Sequence, residues 1–331
     1  NGNTGIIPTS PGNPAYDWEY AKELNIGFDL SMIQNRIRLT AEYYNRITSN
    51  LFIDQPLPAT SGFTELSISS GKMRNRGVEI DLQADVIKTR DLVWTIGGNM
   101  GYNKNVVLDL GGADEFEYQF TGIIRPGLPF GAHYAPKWAG VDPETGDSRF
   151  YTRNGEITTD YSAANLSVAE FGSYIPEITG GINTSLTWKD FYFNALFSFT
   201  GKVMRYTNED YWNENSDFVG SNQSVRMLYD RWKKPGDNAL LPRVDAARYF
   251  TSRDIQNASY VRLRNVNIGY NLPKSLISKW SFISGVQINL QAQNLFTWTN
   301  WRGFDPENGN EYQVFSYPVP RTYVVGLNVN F

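Results

Sequence analysis

The chain has 331 residues, 30 Lys and Arg against 34 Asp and Glu, a net charge of −4, a single His and no Cys. Mean hydropathy is negative, and no apolar run approaches the roughly 18 residues a spanning helix needs. This excludes a helical membrane protein, and the slightly acidic balance gives no signal for nucleic acid as a partner. It does not exclude a membrane β-barrel, because half of each barrel strand faces water. Aromatic residues make up 15% of the chain, which suits the interface girdles and loops of such a barrel.

The chain opens Asn1-Gly-Asn-Thr-Gly5, without Met, a basic segment or an apolar leader, as expected after signal removal or at a start that is not the natural one. From there a period of two recurs, the signature of strands whose faces meet different media. Leu24, Ile26, Phe28 and Leu30 alternate with polar residues, and Ile37, Leu39, Ala41 and Tyr43 come next after a short turn. Val78, Ile80, Leu82, Ala84 and Val86 alternate with Glu79, Asp81, Gln83 and Asp85, and Leu92–Tyr102 returns after Lys88–Asp91. Ile178–Trp188 and Phe191–Phe199 form another such pair. Segment 260–271 keeps one apolar face only if a β-bulge falls near Asn265. Val286–Ala292 and Tyr323–Phe331 complete the set, the last ending on an aromatic carboxyl terminus.

Acidic residues on the alternate positions would be costly against lipid but not in a wet lumen. The pattern predicts an all-β fold: an antiparallel transmembrane β-barrel of nine strands, or eleven if residues 129–160 hold a further hairpin. Connections alternate between short turns and long loops at about 49–71, 105–177, 203–257 and 295–319, so the turns are expected on the periplasmic side and the loops outside. Both strand counts are odd, whereas single-chain bacterial barrels are even. The expectation is therefore the C-terminal part of a larger barrel, spanning residues 1–331 here, with earlier strands and a plug supplied elsewhere.

Loop 203–257 sets Tyr206, Tyr211, Trp212, Tyr229, Trp232 and Tyr249 among Asn, Asp and Arg, and loop 295–319 holds Phe296, Trp298, Trp301, Phe304 and Tyr312. Flat rings suit sugar faces, and the amides and carboxylates suit hydroxyls. Tyr211, Trp212, Tyr229, Trp232 and Trp301 are the candidate substrate-binding residues. The plainer reading packs these rings within the loops or against a lid protein, and Phe296 and Trp298 at the membrane interface. Asp142-Pro-Glu-Thr-Gly-Asp147 loosely resembles a calcium loop but lacks the twelve-residue pattern and closing Glu, so a solvated turn is expected and no cofactor is assigned. One His and no thiol cannot build a His-based triad or a multi-imidazole zinc site. Carboxylates are plentiful but fall on alternating lumen positions and in loops, and no catalytic constellation emerges.

Several stretches taken together are specific: Asn75-Arg-Gly-Val-Glu-Ile80, Ser259-Tyr-Val-Arg-Leu-Arg-Asn-Val-Asn-Ile-Gly-Tyr-Asn-Leu-Pro273, Ala292-Gln-Asn-Leu-Phe-Thr297, Gly303-Phe-Asp-Pro-Glu307 and Tyr317-Pro-Val-Pro-Arg-Thr-Tyr323. In order and spacing, over most of residues 16–331, they resemble the C-terminal half of SusC/RagA-type TonB-dependent transporters of the Bacteroidota outer membrane. The resemblance implies a 22-stranded barrel occluded by an N-terminal plug, a SusD-like surface lipoprotein as lid, energy delivered through the TonB complex, and oligosaccharide or oligopeptide cargo. The segment that contacts TonB would belong to the plug, outside these residues. A passive porin is the alternative reading, and an outer-membrane enzyme or adhesin a third.

Overall fold

In the computed structural model the described residues are 8, 10–118, 121–164, 166–167, 172–218, 220–278, 282–307 and 315–331. Nine strands form one antiparallel sheet in strict chain order. They are β1 (Tyr20–Met32), β2 (Ile37–Pro56), β3 (Glu65–Lys88), β4 (Leu92–Leu110), β5 (Ile178–Trp188), β6 (Phe191–Gly201), β7 (Tyr260–Asn271), β8 (Gly285–Thr299) and β9 (Thr322–Asn330). Each strand pairs only with its chain neighbours, so β1 and β9 are the two edges of the sheet. No helix among the described residues is long and apolar enough to cross a membrane.

The register explains why the alternation matters. Directly opposite residues share a face, and one such row runs Leu30–Leu39–Leu82–Gly98–Ile182–Phe197–Leu263–Phe296 without a break. The next runs Phe28–Ala41–Ile80–Met100–Gly180–Phe199–Val261–Trp298. The apolar positions of every strand thus merge into one band, and its large side chains, Phe28, Leu82, Ile182 and Val325 among them, are exposed. On the opposite face the rows are polar, for example Asp29–Thr40–Asp81–Asn99 and Asn271–Gln287–Asn328. A soluble sandwich would have buried the apolar band against a second sheet, and none of the small sheets covers it.

The expected bulge lies at Arg264: β7 takes two steps from Leu263 to Asn265 while β6 takes one from Phe197 to Leu196. On the other side, Asn294 and Leu295 of β8 oppose that same residue, and Asn294 has a φ of 54°. Two sequence expectations are corrected. The hairpin in residues 129–160 exists, but Trp138–Val141, Ser148–Tyr151 and Ile157–Thr158 form a separate three-stranded sheet and add nothing to the wall. Strands β2, β3 and β4 also run on through Pro56, from Glu65 and to Leu110, into segments read as loops. At ~3.3 Å per residue they greatly exceed the span of a bilayer, because Leu51, Ile53, Met73 and Val107 line an apolar recess beneath Phe116, Ile124 and Phe130.

Candidate functional site

The long connections between β4 and β5, between β6 and β7, and after β8 fold on one another into a packed layer at the loop end of the wall. Phe150 and Tyr206 are fully buried there. Tyr161 stacks on Tyr249 at 4.4 Å, both rings meet Phe150 edge-on, and Phe250 lies edge-on to Tyr206. His133 is fully buried, with Nε2 donating to the Met204 carbonyl at 2.8 Å and Nδ1 facing the Thr121 hydroxyl at 3.1 Å. Burial holds its pKa down at about 4, so it is a neutral structural crosslink between two loops.

Charge is also internal to this layer. Helix α1 (Asn208–Asn213) carries Asp210, which accepts from Arg302 at 2.8 Å and Gln256 at 2.9 Å. Glu214, just beyond it, meets Arg253 at 2.9 Å and also Arg226, which opens helix α2 (Arg226–Tyr229). Arg248 bonds Asp254 at 3.1 Å. Burial lowers the Arg253 guanidinium to about 10, with Arg248 adding to the effect, and burial raises the Glu214 carboxyl against the pull of Arg253. Such buried pairs fix one arrangement of the loops at a high desolvation cost.

A second network ties two of the signature stretches together. Arg262 of β7 donates to Asp305 at 2.6 Å, to Glu307 at 2.7 Å and to the Thr297 hydroxyl at 2.9 Å, and Arg264 also bonds Glu307. Asp305 further accepts from the backbone N–H groups of Glu307 and Val319 at 2.9 and 3.0 Å. The Gly303–Glu307 stretch is therefore a clamp closing on the wall.

The five candidate binding residues do not form one platform. Tyr211 and Trp212 adjoin on α1, edge to face at 5.7 Å, with Arg248 at 5.1 Å over the Tyr211 ring and Phe218 at 4.5 Å from the Trp212 ring. Tyr229 is 73% exposed on α2. Trp232 donates to the Pro143 carbonyl at 2.9 Å and lies over Gly146, where a Cβ would come within 2.5 Å of its ring. Trp301 departs from expectation. It is only 6% exposed and packs with Val203 and Ala258, so its ring is part of the loop core rather than a surface for cargo. Phe296 and Trp298 stand exposed at the loop end of the apolar band, and Tyr312 lies outside the described residues. Asp142 accepts from the N–H groups of Glu144 and Thr145, and Asp147 meets Arg243 at 2.8 Å, which holds its carboxyl below the usual range.

Sequence reasoning missed the polar face of β1–β4 as a recess. Glu23, Asn25, Glu42, Tyr44, Arg46, Asn75, Glu79 and Asn103 line a cavity of about 490 Å³, with Tyr44 donating to Asn103 at 3.1 Å. The signal was present, because these are the alternate positions of strands read mainly for their apolar face.

A sheet with an unbroken apolar exterior, a polar interior and a folded loop layer at one end is the wall of a membrane β-barrel. The profile of the family described as TonB dependent receptor-like, beta-barrel matches residues 1–295, and the chain belongs to that family. It is 30% identical to TonB-dependent receptor P3 of Formosa agariphila, covering 99% of this chain and 36% of that one. It is 23% identical to TonB-dependent receptor SusC of Bacteroides thetaiotaomicron, covering 96% and 32%. Among solved structures, the RagAB peptide transporter superposes with a TM-score of 0.87 at 30% identity, over 97% of this chain and 36% of that one. The chain spans about a third of the length of the relatives it matches.

Proposed function

We propose that these residues are the C-terminal part of the barrel wall, with its extracellular loop layer, of a TonB-dependent outer-membrane importer of oligosaccharides or oligopeptides. The chain would work with a plug and further strands of the same transporter, the TonB complex and a SusD-like lipoprotein lid. The observation that carries this reading is the register that sets an apolar exterior against a polar interior across all nine strands. The wall excludes water from lipid, the polar recess beside Tyr44 and Asn103 faces hydrated cargo, and the loop layer offers the lid a surface. Val225, Leu228 and Tyr229 on or beside α2, with the nearby Leu240, are exposed apolar residues suited to that contact. Relatives named as receptors and a transporter support transport over catalysis.

The test is uptake of single defined glycans and peptides by cells carrying or lacking the full-length transporter, with and without a protonophore. Carrier-dependent uptake abolished by the protonophore is expected. Uptake indifferent to the protonophore would replace this reading with a passive porin.

A further inference from the structure

The apolar band ends sharply on the loop side of the wall, and the rows above it are basic. On the apolar face, just beyond the row Ile26–Tyr43–Val78–Tyr102, the row Leu24–Asn45–Arg76–Lys104 crosses β1 to β4. The next row toward the loops is Lys22–Ile47–Arg74–Val106, and the one beyond is Tyr20–Ser49–Lys72–Asp109. Lys22, Lys72, Arg74, Arg76 and Lys104 thus share the outward face within three successive rows. Arg76 and Lys104 are directly opposed on neighbouring strands, where Cβ atoms lie roughly 5 Å apart and like charges repel. No ion pair or side-chain hydrogen bond engages any of the five among the described residues. The Nε of the half-buried Arg74 is itself buried and without a hydrogen-bond partner. Asp109 is the one carboxylate in these rows, and its Oδ1 is taken by the Gly111 N–H. Lys22 lies over the Tyr20 ring at 5.8 Å, so an aromatic residue accompanies the cations at this level.

Repelling cations gathered on β1, β3 and β4 do not stabilise the wall, and edge protection explains only Lys22, since Arg74, Arg76 and Lys104 sit on interior strands. On the reading of the chain as an outer-membrane wall, this level is where the leaflet at the loop end changes from acyl chain to headgroup. We infer that Arg74, Arg76 and Lys104, with Lys22 and Lys72, form a lipid-binding site that holds the phosphate groups of a membrane glycolipid in that leaflet. Guanidinium forks suit phosphate oxygens in bidentate fashion, and a phosphate placed between Arg76 and Lys104 turns their repulsion into shared attraction. Ile47 and Val106, between the cations, offer apolar contact to the upper part of the acyl chains. The binding this predicts is tight, salt-sensitive and confined to the β1–β4 side, because β6, β7 and β8 reach the loop end with Phe199, Val261 and Trp298 of the apolar row on their outward face and carry no cation on that face.

The experiment uses the full-length transporter in detergent, with lipopolysaccharide as the probe and native mass spectrometry as the readout. The arms compare wild type with R74Q/R76Q/K104Q, native with enzymatically dephosphorylated lipopolysaccharide, and competition by inorganic phosphate. At roughly fivefold per cation near an anionic surface, the triple variant is expected to bind on the order of 100-fold more weakly. Dephosphorylated glycolipid should fail to compete, inorganic phosphate should not displace the bound lipid, and R76K should recover part of the affinity. Retention of a heat-modifiable folded band on electrophoresis shows that the variant is a folded barrel, and an unfolded triple variant would be replaced by the single changes R76Q and K104Q. Equal binding by folded variants, equal binding of dephosphorylated glycolipid, or full displacement by phosphate would each overturn the inference. Cargo uptake is read separately, so failure of the import reading would leave this result standing and the converse would also hold.

Discussion

Replacing Arg262 with Ala should open the clamp that holds residues 303–307 on the wall. Arg262 is 2% exposed and carries three bonds, to Asp305 at 2.6 Å, Glu307 at 2.7 Å and Thr297 at 2.9 Å. Its removal strands the buried Asp305 carboxylate with only backbone donors, and breaking a buried pair from one side costs about 3–5 kcal/mol. Glu307 keeps Arg264 as a partner and is partly exposed, so the lower end, about 3 kcal/mol, applies to local opening. That corresponds to a rise of roughly 100-fold in the open population. The readout is hydrogen exchange of the Val319 and Glu307 amides in the full-length protein, since both donate to Asp305. Burial pushes the Asp305 carboxyl up, but the Arg262 bond and those two N–H donors outweigh it and leave the group below the ordinary carboxylate range. Its lowered pKa means the clamp is stabilised above the unfolded value of 3.8 and loses that contribution only as pH falls through the lower folded value. In R262A the guanidinium no longer offsets burial of the Asp305 carboxylate, so the loosening should be greatest near neutral pH and should shrink as acid protonates Asp305. Removing Asp305 as well, in R262A/D305N, should restore part of the loss, because no uncompensated charge then remains. Exchange of both amides in R262A within about twofold of wild type would refute the clamp.

His133 is neutral in the folded loop layer with a pKa near 4 against an unfolded value of 6.5, so its contribution is intact above pH 6.5 and falls away between about 6.5 and 4. H133N should flatten that part of the pH profile of loop-layer unfolding, followed by tyrosine and tryptophan fluorescence. Glu209 is buried with neither carboxylate oxygen bonded by a side chain, and burial raises its pKa. It is therefore best tolerated at low pH and a burden above its folded pKa, so E209Q should make the loop layer more resistant to protease at neutral pH. Gly77 lies under Tyr44, and a Cβ there would come within 2.1 Å of the Tyr102 carbonyl, so G77A should lower the temperature of heat-induced mobility shift, with an overpacking cost of about 1–3 kcal/mol. W301A should loosen the loop layer by about 3–5 kcal/mol in the same protease assay, whereas Y229A should leave stability unchanged and instead weaken co-purification of the proposed lid lipoprotein.

The wall was legible because its physics is local. A two-residue period, short turns such as Lys189–Asp190 and the parity slip near Asn265 each appear within a dozen residues, and all three stand in the sheet. The loop layer was not legible in the same way. Its order comes from pairs such as Arg205 with the Pro306 carbonyl, 101 residues apart, and Trp232 with Pro143, 89 residues apart. No periodicity links such partners, so Trp301 and Tyr229 looked equivalent in sequence although one is core and the other surface. The basic rows on the outer wall were hidden for a third reason. Arg76 and Lys104 are seen to oppose each other, with Lys22 across β2 on the same face, only once the register is known.

The bulge at Arg264 shows how one local irregularity joins the wall to the loop layer. In an unbroken strand, Arg262, Arg264, Val266, Ile268 and Tyr270 would share a face, setting either arginines against lipid or three apolar side chains in the lumen. With the extra residue, Val261 and Leu263 lie outward opposite Phe199 and Phe197, and Val266, Ile268 and Tyr270 lie outward opposite Ala195, Phe193 and Phe191. Arg262 and Arg264 are left inward, one bonding Thr297 and the other Ser198 at 2.7 Å, and both reach Glu307. The same slip that keeps the membrane band continuous therefore positions the two cations that clamp the Gly303–Glu307 loop. Deleting Arg264 removes the extra residue, so Val261, Leu263, Val266, Ile268 and Tyr270 keep one face and Arg262 the other in a regular register against β6. The wall should therefore hold in the deletion as it does in R264Q, and both should weaken the clamp in the same way, because each loses the Arg264 bonds to Ser198 and Glu307.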